Sequence, residues 1–182
     1  MTTLKDIQIP EQTLRNLYRY SLLQEKVMAE VTKDVAPVQE QVWARHILVA
    51  TEDEAKAVLD RLSKGEDWNK IAAEVSTDTS NNTNGGDLGW FPRHYMVKEF
   101  EDAAFALGVG EISQPVKTEF GYHIIQIVGH EQERPLMAST LEQVKQKVYS
   151  DWLTGVKETR KIETFDLWKQ ILPTEPTVPA GQ

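Results

Sequence analysis

Four histidines and no cysteine limit the side-chain chemistry open to this 182-residue chain. Without cysteine there are no disulfides, thiolate nucleophiles or thiolate metal sites. His46 and His123 each stand in a β-rich run, Ala44-Arg45-His46-Ile47-Leu48-Val49 and Tyr122-His123-Ile124-Ile125. A histidine among apolar strand neighbours is ordinarily a satisfied core residue, but two of them can meet if their strands pair at the centre of one sheet. His94, His123 and His130 lack the tight spacing of metal ligands, so neither a metal nor a cofactor is expected. Asp78, in Ser76-Thr77-Asp78-Thr79, has the loop setting of an Asx-turn or cap, which is its plainest use. Asn81-Asn82-Thr83 fits a glycosylation sequon, a pattern common by chance.

Composition bounds the class. Hydrophobic residues make up 40% and charged residues 26%, the balance of a globular domain. The net charge is −8 with Lys and Arg scattered, so nucleic acid is not an expected partner. No run of eighteen apolar residues could span a membrane. The N-terminus, Met1-Thr2-Thr3-Leu4-Lys5-Asp6, lacks the basic-then-apolar layout of a signal peptide.

The elements that must position these residues fall into three parts and a tail. Residues 1–40 form a helical segment, with Leu14, Leu17, Tyr18, Leu22, Val27, Met28 and Val31 at steps of three and four. That helix starts near Pro10 and ends before Pro37. Residues 41–131 form an α+β domain of order β-α-α-β-α-β-β. Its first strand covers 42–49. Thr51-Glu52-Asp53-Glu54 is a capping box opening a helix that Gly65 stops. Further helices are predicted over 68–75 and 98–106, and strands over 87–91, 116–118 and 122–128. Residues 132–172 are helical again, with Ser139-Thr140-Leu141-Glu142 read as a second capping box and an apolar series Leu141, Val144, Val148, Trp152. Residues 173–182 read as a disordered tail. The two outer helical parts are expected to pack on one another.

The middle segment resembles the parvulin family of peptidyl-prolyl isomerases. Four motifs carry the resemblance, in order: the strand around His46; Gly85-Gly86-Asp87-Leu88-Gly89-Trp90-Phe91; Phe100-Glu101-Asp102-Ala103-Ala104-Phe105-Ala106-Leu107 with Gly110-Glu111-Ile112-Ser113-Gln114-Pro115-Val116; and Phe120-Gly121-Tyr122-His123-Ile124-Ile125. A lone GGDLG would be weak, whereas four ordered motifs are specific. The resemblance implies a prolyl pocket of Leu88, Met96 and Phe100, and a hydrogen-bonded pair of His46 and His123 that holds the site's shape. It places Asp78 where the family carries Cys or Asp, near the substrate carbonyl. Ser76 and Thr118 are expected as hydrogen-bonding neighbours of that network. Phe120 stands where some relatives have serine, making the rim more apolar.

Such a site acts without covalent chemistry. The barrier to X–Pro rotation, roughly 20 kcal/mol, comes from amide resonance. A pocket that grips the proline ring and favours the twisted amide lowers it. Some parvulins read phosphate through a basic cluster after the first strand; here that stretch is Ala50-Thr51-Glu52-Asp53-Glu54, which would repel phosphate. The expected function is isomerisation of unphosphorylated X–Pro bonds in unfolded or extended polypeptides, within a foldase. A non-catalytic binding module and a helical dimerisation device are the alternatives, the latter implying a dimer through the flanking helices. Resemblance to foldases implies an extracytoplasmic location, with any signal or anchor lying outside this sequence.

Overall fold

The computed structural model describes residues 11–160. The predicted helical stretch toward Leu172, the tail 173–182 and Pro10 all lie outside the described residues. In chain order the elements are α1 (Glu11–Val31), β1 (Val38–Val49), α2 (Glu52–Ser63), α3 (Trp68–Val75), β2 (Asp87–Pro92), α4 (Lys98–Ala106), β3 (Val116–Thr118), β4 (Gly121–Pro135) and α5 (Ala138–Thr159). The sheet is antiparallel with order β2-β1-β4-β3, so the first and last long strands pair at its centre.

Side-chain alternation sorts the core into two layers. Val42, Ala44, Phe91, Ile125 and Ile127 face α4, where they meet Phe100, Ala104 and Phe105. Ile47, Val49 and Ile124 face the other way, onto Ala55, Val58, Trp68, Ile71 and Ala72 of α2 and α3. Burying each large apolar side chain contributes about 1.5–3 kcal/mol, so both faces must be covered for the sheet to persist. The order β-α-α-β-α-β-β matches the expectation, and α3, α4 and β3 match it to the residue. The Thr51 cap forms as read: its side chain accepts from the Glu54 N–H while Glu54 accepts from the Thr51 N–H.

Three boundaries differ. β1 starts four residues earlier than predicted, and β4 runs seven residues further, to Pro135. The extra lengths pair with each other, Val38 opposite Pro135 and Gln41 opposite Glu131. Arg134 lies over the Trp90 ring at 4.3 Å, giving this polar stretch an apolar and cationic cover. The capping box expected at Ser139 does not form. Met137 occupies the N-cap without a side-chain bond, and Ser139 falls inside the first turn. The Leu136 N–H donates to Pro37 O, a tether that starts α5 as soon as β4 ends.

The flanking helices touch as expected, but over a short stretch. Met28 lies beside Gln146, and Val31 shares a crevice with Val144 and Val148. Towards its N-terminus α1 is uncovered: Leu17, Tyr18, Leu22 and Leu23 are all more than half exposed. No helix among the described residues is long and apolar enough to cross a membrane.

Candidate active site

The site grows from the central strand pair. In β1, Val42, Ala44, His46 and Leu48 share the face turned to α4, and His123 points the same way from β4. His46 pairs in register with Ile125 and Leu48 with His123, so the two histidines are diagonal neighbours. Their rings stack with centroids 5.2 Å apart, and the two Nδ1 atoms lie 2.9 Å from one another. The Phe100 ring meets both edge-on, at 5.9 and 5.2 Å.

Partners at both ends decide which nitrogen carries the proton. His46 Nε2 lies 3.0 Å from Asp78 Oδ2, and His123 Nε2 lies 2.9 Å from Thr118 Oγ1. Asp78 also accepts from the Ser80 N–H and hydroxyl and from Asn81 Nδ2. Burial acts to raise its pKa, but those bonds and the one from His46 outweigh it and hold the carboxyl below its ordinary value. An ionised Asp78 needs a donor, so His46 carries its proton on Nε2. His46 Nδ1 must then accept, which makes His123 the Nδ1–H tautomer. Its bare Nε2 accepts from the Thr118 hydroxyl, whose oxygen in turn accepts from the Phe120 N–H. Every proton in this chain points from Thr118 toward Asp78. Burial lowers both histidine pKa values; Asp78 partly offsets this for His46, while neighbouring His46 reinforces it for His123, which falls to about 4. Both rings are therefore neutral near pH 7.

Beside this network lies a cavity of about 570 Å³. Leu88, Met96 and Phe100 line it, with His46, His123 and Asp78 on one side and Phe120, 63% exposed, at the rim. Each wall has a local cause. Leu88 is the extra residue of a bulge, since Ala44 pairs with Gly89 and Arg45 with Asp87. The Asp87 carboxylate fixes that bulge by accepting from Trp43 Nε1 and the Gly89 N–H. Gly86 sits at φ 71°, where a Cβ would come 1.8 Å from His46 O, so only glycine lets this loop bring its carbonyl in to accept from the His46 N–H.

Of the two expected hydrogen-bonding neighbours of the network, one lies elsewhere and one joins it. Ser76 does not join the histidine network: its Oγ accepts from the Leu48 N–H at 3.1 Å. With the Thr77 N–H donating to Leu48 O at 2.7 Å, it clasps the end of β1 and hangs Asp78 over His46. Thr118 does join the network but does not line the cavity. His94 is exposed, at φ 63° in the turn before Met96. Asn81, the sequon residue, is half-buried and bonded to Asp78.

Sequence reasoning passed over Glu101. Its buried carboxylate accepts from the backbone N–H groups of His94, Tyr95 and Met96 at 3.0, 2.6 and 2.7 Å. These charge-assisted bonds fold the turn that delivers Met96 to the cavity. Three backbone donors leave no periodic trace in a sequence. Leu48, Thr77, Tyr95, Val97 and Lys147 also line the cavity and were not foreseen. Among the described residues no three His, Asp or Glu converge to hold a metal ion.

Comparison with known proteins points to one family. Residues 45–129 match the rotamase family described as the PPIC-type PPIASE domain. The chain is 40% identical to the foldase protein PrsA of Caldanaerobacter subterraneus subsp. tengcongensis, over 88% of this chain and 59% of that protein. It is 48% identical to the foldase protein PrsA of Exiguobacterium sibiricum, over 72% of this chain and 42% of that protein. The chain thus spans about 59% or less of the length of these curated relatives. Among solved structures, the peptidylprolyl isomerase PrsA of Bacillus anthracis is similar, with a TM-score of 0.67 at 29% identity over 85% of this chain and 78% of that one.

Proposed function

The chain belongs to the parvulin family, with a PPIC-type peptidyl-prolyl isomerase domain, and from that premise we propose that it accelerates rotation about unphosphorylated X–Pro bonds in extended polypeptides. The observation that carries this reading is the juxtaposition of an apolar pocket with a hydrogen-bond network of two neutral histidines that ends on the Asp78 carboxylate. Leu88, Met96 and Phe100 offer a flat and pliable lining for a proline ring. The amide preceding that ring then lies against the wall of His46, His123 and Asp78.

Rotation about the C–N bond removes resonance, moving charge off the carbonyl oxygen and onto a pyramidal nitrogen. A planar amide leaves its oxygen negative, and the Asp78 carboxylate disfavours that form more than the twisted one. The histidines do not relay a proton. Held as neutral tautomers by Thr118 and Asp78, they set the floor of the pocket and keep Phe100 upright. Burial of the two histidines keeps water from that part of the network, which strengthens the interactions within it. The segment after β1, Ala50 to Glu54, opens α2 with three acidic residues, which supports selection against phosphate.

Exchange spectroscopy on a short unphosphorylated X–Pro peptide tests the reading. Catalytic amounts of protein should broaden or exchange the cis and trans signals. Absence of acceleration by folded protein at high concentration overturns it.

A second activity is supported by α1, whose Leu17, Tyr18, Leu22 and Leu23 lie open to solvent. An exposed apolar patch binds unfolded chains. The two activities together make a foldase working outside the cytoplasm, with the isomerase domain bounded by the sheet from Val38 to Pro135 and the helices as the client-holding part. Dimerisation through these helices would cover the same patch, and sedimentation distinguishes the two.

A further inference from the structure

We propose that Lys147, on α5, is a specificity-determining residue of the prolyl pocket and selects substrates with a carboxylate side chain next to the proline. The inference rests on the isomerase reading and names the charge preference of that site. Lys147 lies outside the sheet, yet its side chain joins Met96, Phe100 and Phe120 in lining the cavity.

The packing of α5 explains how it gets there. Val144 is 1% exposed, and with Val148 it lines a crevice against Val31, Arg93 and His94. The helix is therefore seated on the turn that carries Tyr95 and Met96 into the pocket. Val144, Lys147, Val148 and Asp151 follow at steps of three, one and three, so they share one side of the helix. The valines grip the turn while Lys147 overhangs the cavity beside them.

The charges favour an anionic visitor at this edge. The two histidines of the lining are neutral near pH 7, and the Asp78 carboxylate, though it keeps its negative charge, is turned to Ser80, Asn81 and His46. That leaves Lys147 as the side chain of the lining with a fixed positive charge. Its Nζ lies 2.6 Å from both carboxylate oxygens of Asp151, with 45% and 52% of the two side chains exposed. A pair so open to water is held weakly, and a substrate carboxylate can exchange with Asp151 at little cost. A substrate lysine meets like charge at the same edge.

The test measures isomerisation by the full chain at low salt and about pH 7.5, where both histidines are neutral. Peptides differ only in having Glu, Ala or Lys beside the proline, placed on each side in turn. The kcat/KM ratio of Glu to Lys peptide should reach about threefold on at least one side and fall toward one at roughly 0.5 M sodium chloride. Lys147→Glu should invert the ratio and Lys147→Gln should bring it near one. Lys157→Glu, the same charge change in the last turn of α5, should keep the wild-type ratio. A ratio untouched by Lys147→Glu, or altered equally by Lys157→Glu, overturns the proposal and leaves the isomerase reading standing. Failure of the wild type to accelerate the Ala peptide would instead overturn the isomerase reading itself.

Discussion

Strand β1 and helix α1 are both studded with large apolar residues, and the molecule treats them in opposite ways. Val42, Ile47 and Val49 of β1 are sealed between α4 on one face and α2 with α3 on the other. Leu17 and Tyr18 of α1 remain 58% and 70% exposed, because α5 reaches only the last turns of that helix. Apolarity thus serves two ends here. In the sheet it makes a packed frame around a hydrogen-bond network and the cavity lined by Leu88, Met96 and Phe100. On α1 it leaves an apolar face open to solvent among the described residues. A closed core beside a cavity and an open apolar face need different packing from similar residues.

The contrast can be broken at its most rigid point. Gly86→Ala drives a methyl group into His46 O and should cost about 3 kcal/mol or more, so thermal melting should show a large drop in Tm or no folded state. A Tm within a few degrees of wild type would mean that the loop is as pliable as α1. Next in size is Met96→Ala, which should lower kcat/KM for an X–Pro peptide about tenfold with unchanged circular dichroism, whereas exposed His94→Ala should stay within about twofold. Equal losses from both would contradict the pocket assignment. The double change Leu17→Ser and Leu22→Ser should roughly halve suppression of aggregation of an unfolded client while leaving peptide isomerisation alone. Joint loss of both activities would merge the two regions into one.

The smallest effect is that of pH. His46 and His123 have pKa values lowered in the folded protein, so the unfolded chain binds protons first on acidification. Their contribution to stability is complete above about 6.5 and should be lost as pH falls from there to about 4, the value His123 reaches. The pH dependence of Tm checks the sign. His123→Phe, which removes the titrating ring and roughly keeps its volume, should flatten that dependence.

Much of this was legible in the residues, and the misses share a cause. Helices α3 and α4 announce themselves by apolar spacing and flanking loop residues, and the resemblance to parvulins implies one site of His46, Asp78, Leu88, Met96, Phe100 and His123, all six of which line the cavity. The ends of β1 and β4 did not announce themselves. Gly129 to Arg134 has no alternation, and it is a strand because Val38 to Trp43 offers it a ladder and Arg134 finds the Trp90 face. Helix α5 starts at Ala138 because a backbone tether to Pro37 overrides a good capping sequence downstream. Ser76, Glu101 and Lys147 were misread or missed for a related reason. Ser76 and Glu101 act on backbone groups, and Lys147 on a cavity far away in the chain. Local pattern carries elements; partners distant in sequence decide their ends and their polar contacts.

The pairing of the first long strand with the last has a consequence in time. His46 and His123 are 77 positions apart, and β1 has no central neighbour until β4 exists. At roughly 5–20 residues per second, a ribosome needs about 4–15 s to make that interval. Through those seconds Val42, Ile47 and Val49 belong to a nascent chain whose sheet cannot close. The four-stranded sheet therefore cannot be complete before residues near 135 emerge. Until then its apolar strand faces are open to the same hazard as those of any unfinished polypeptide.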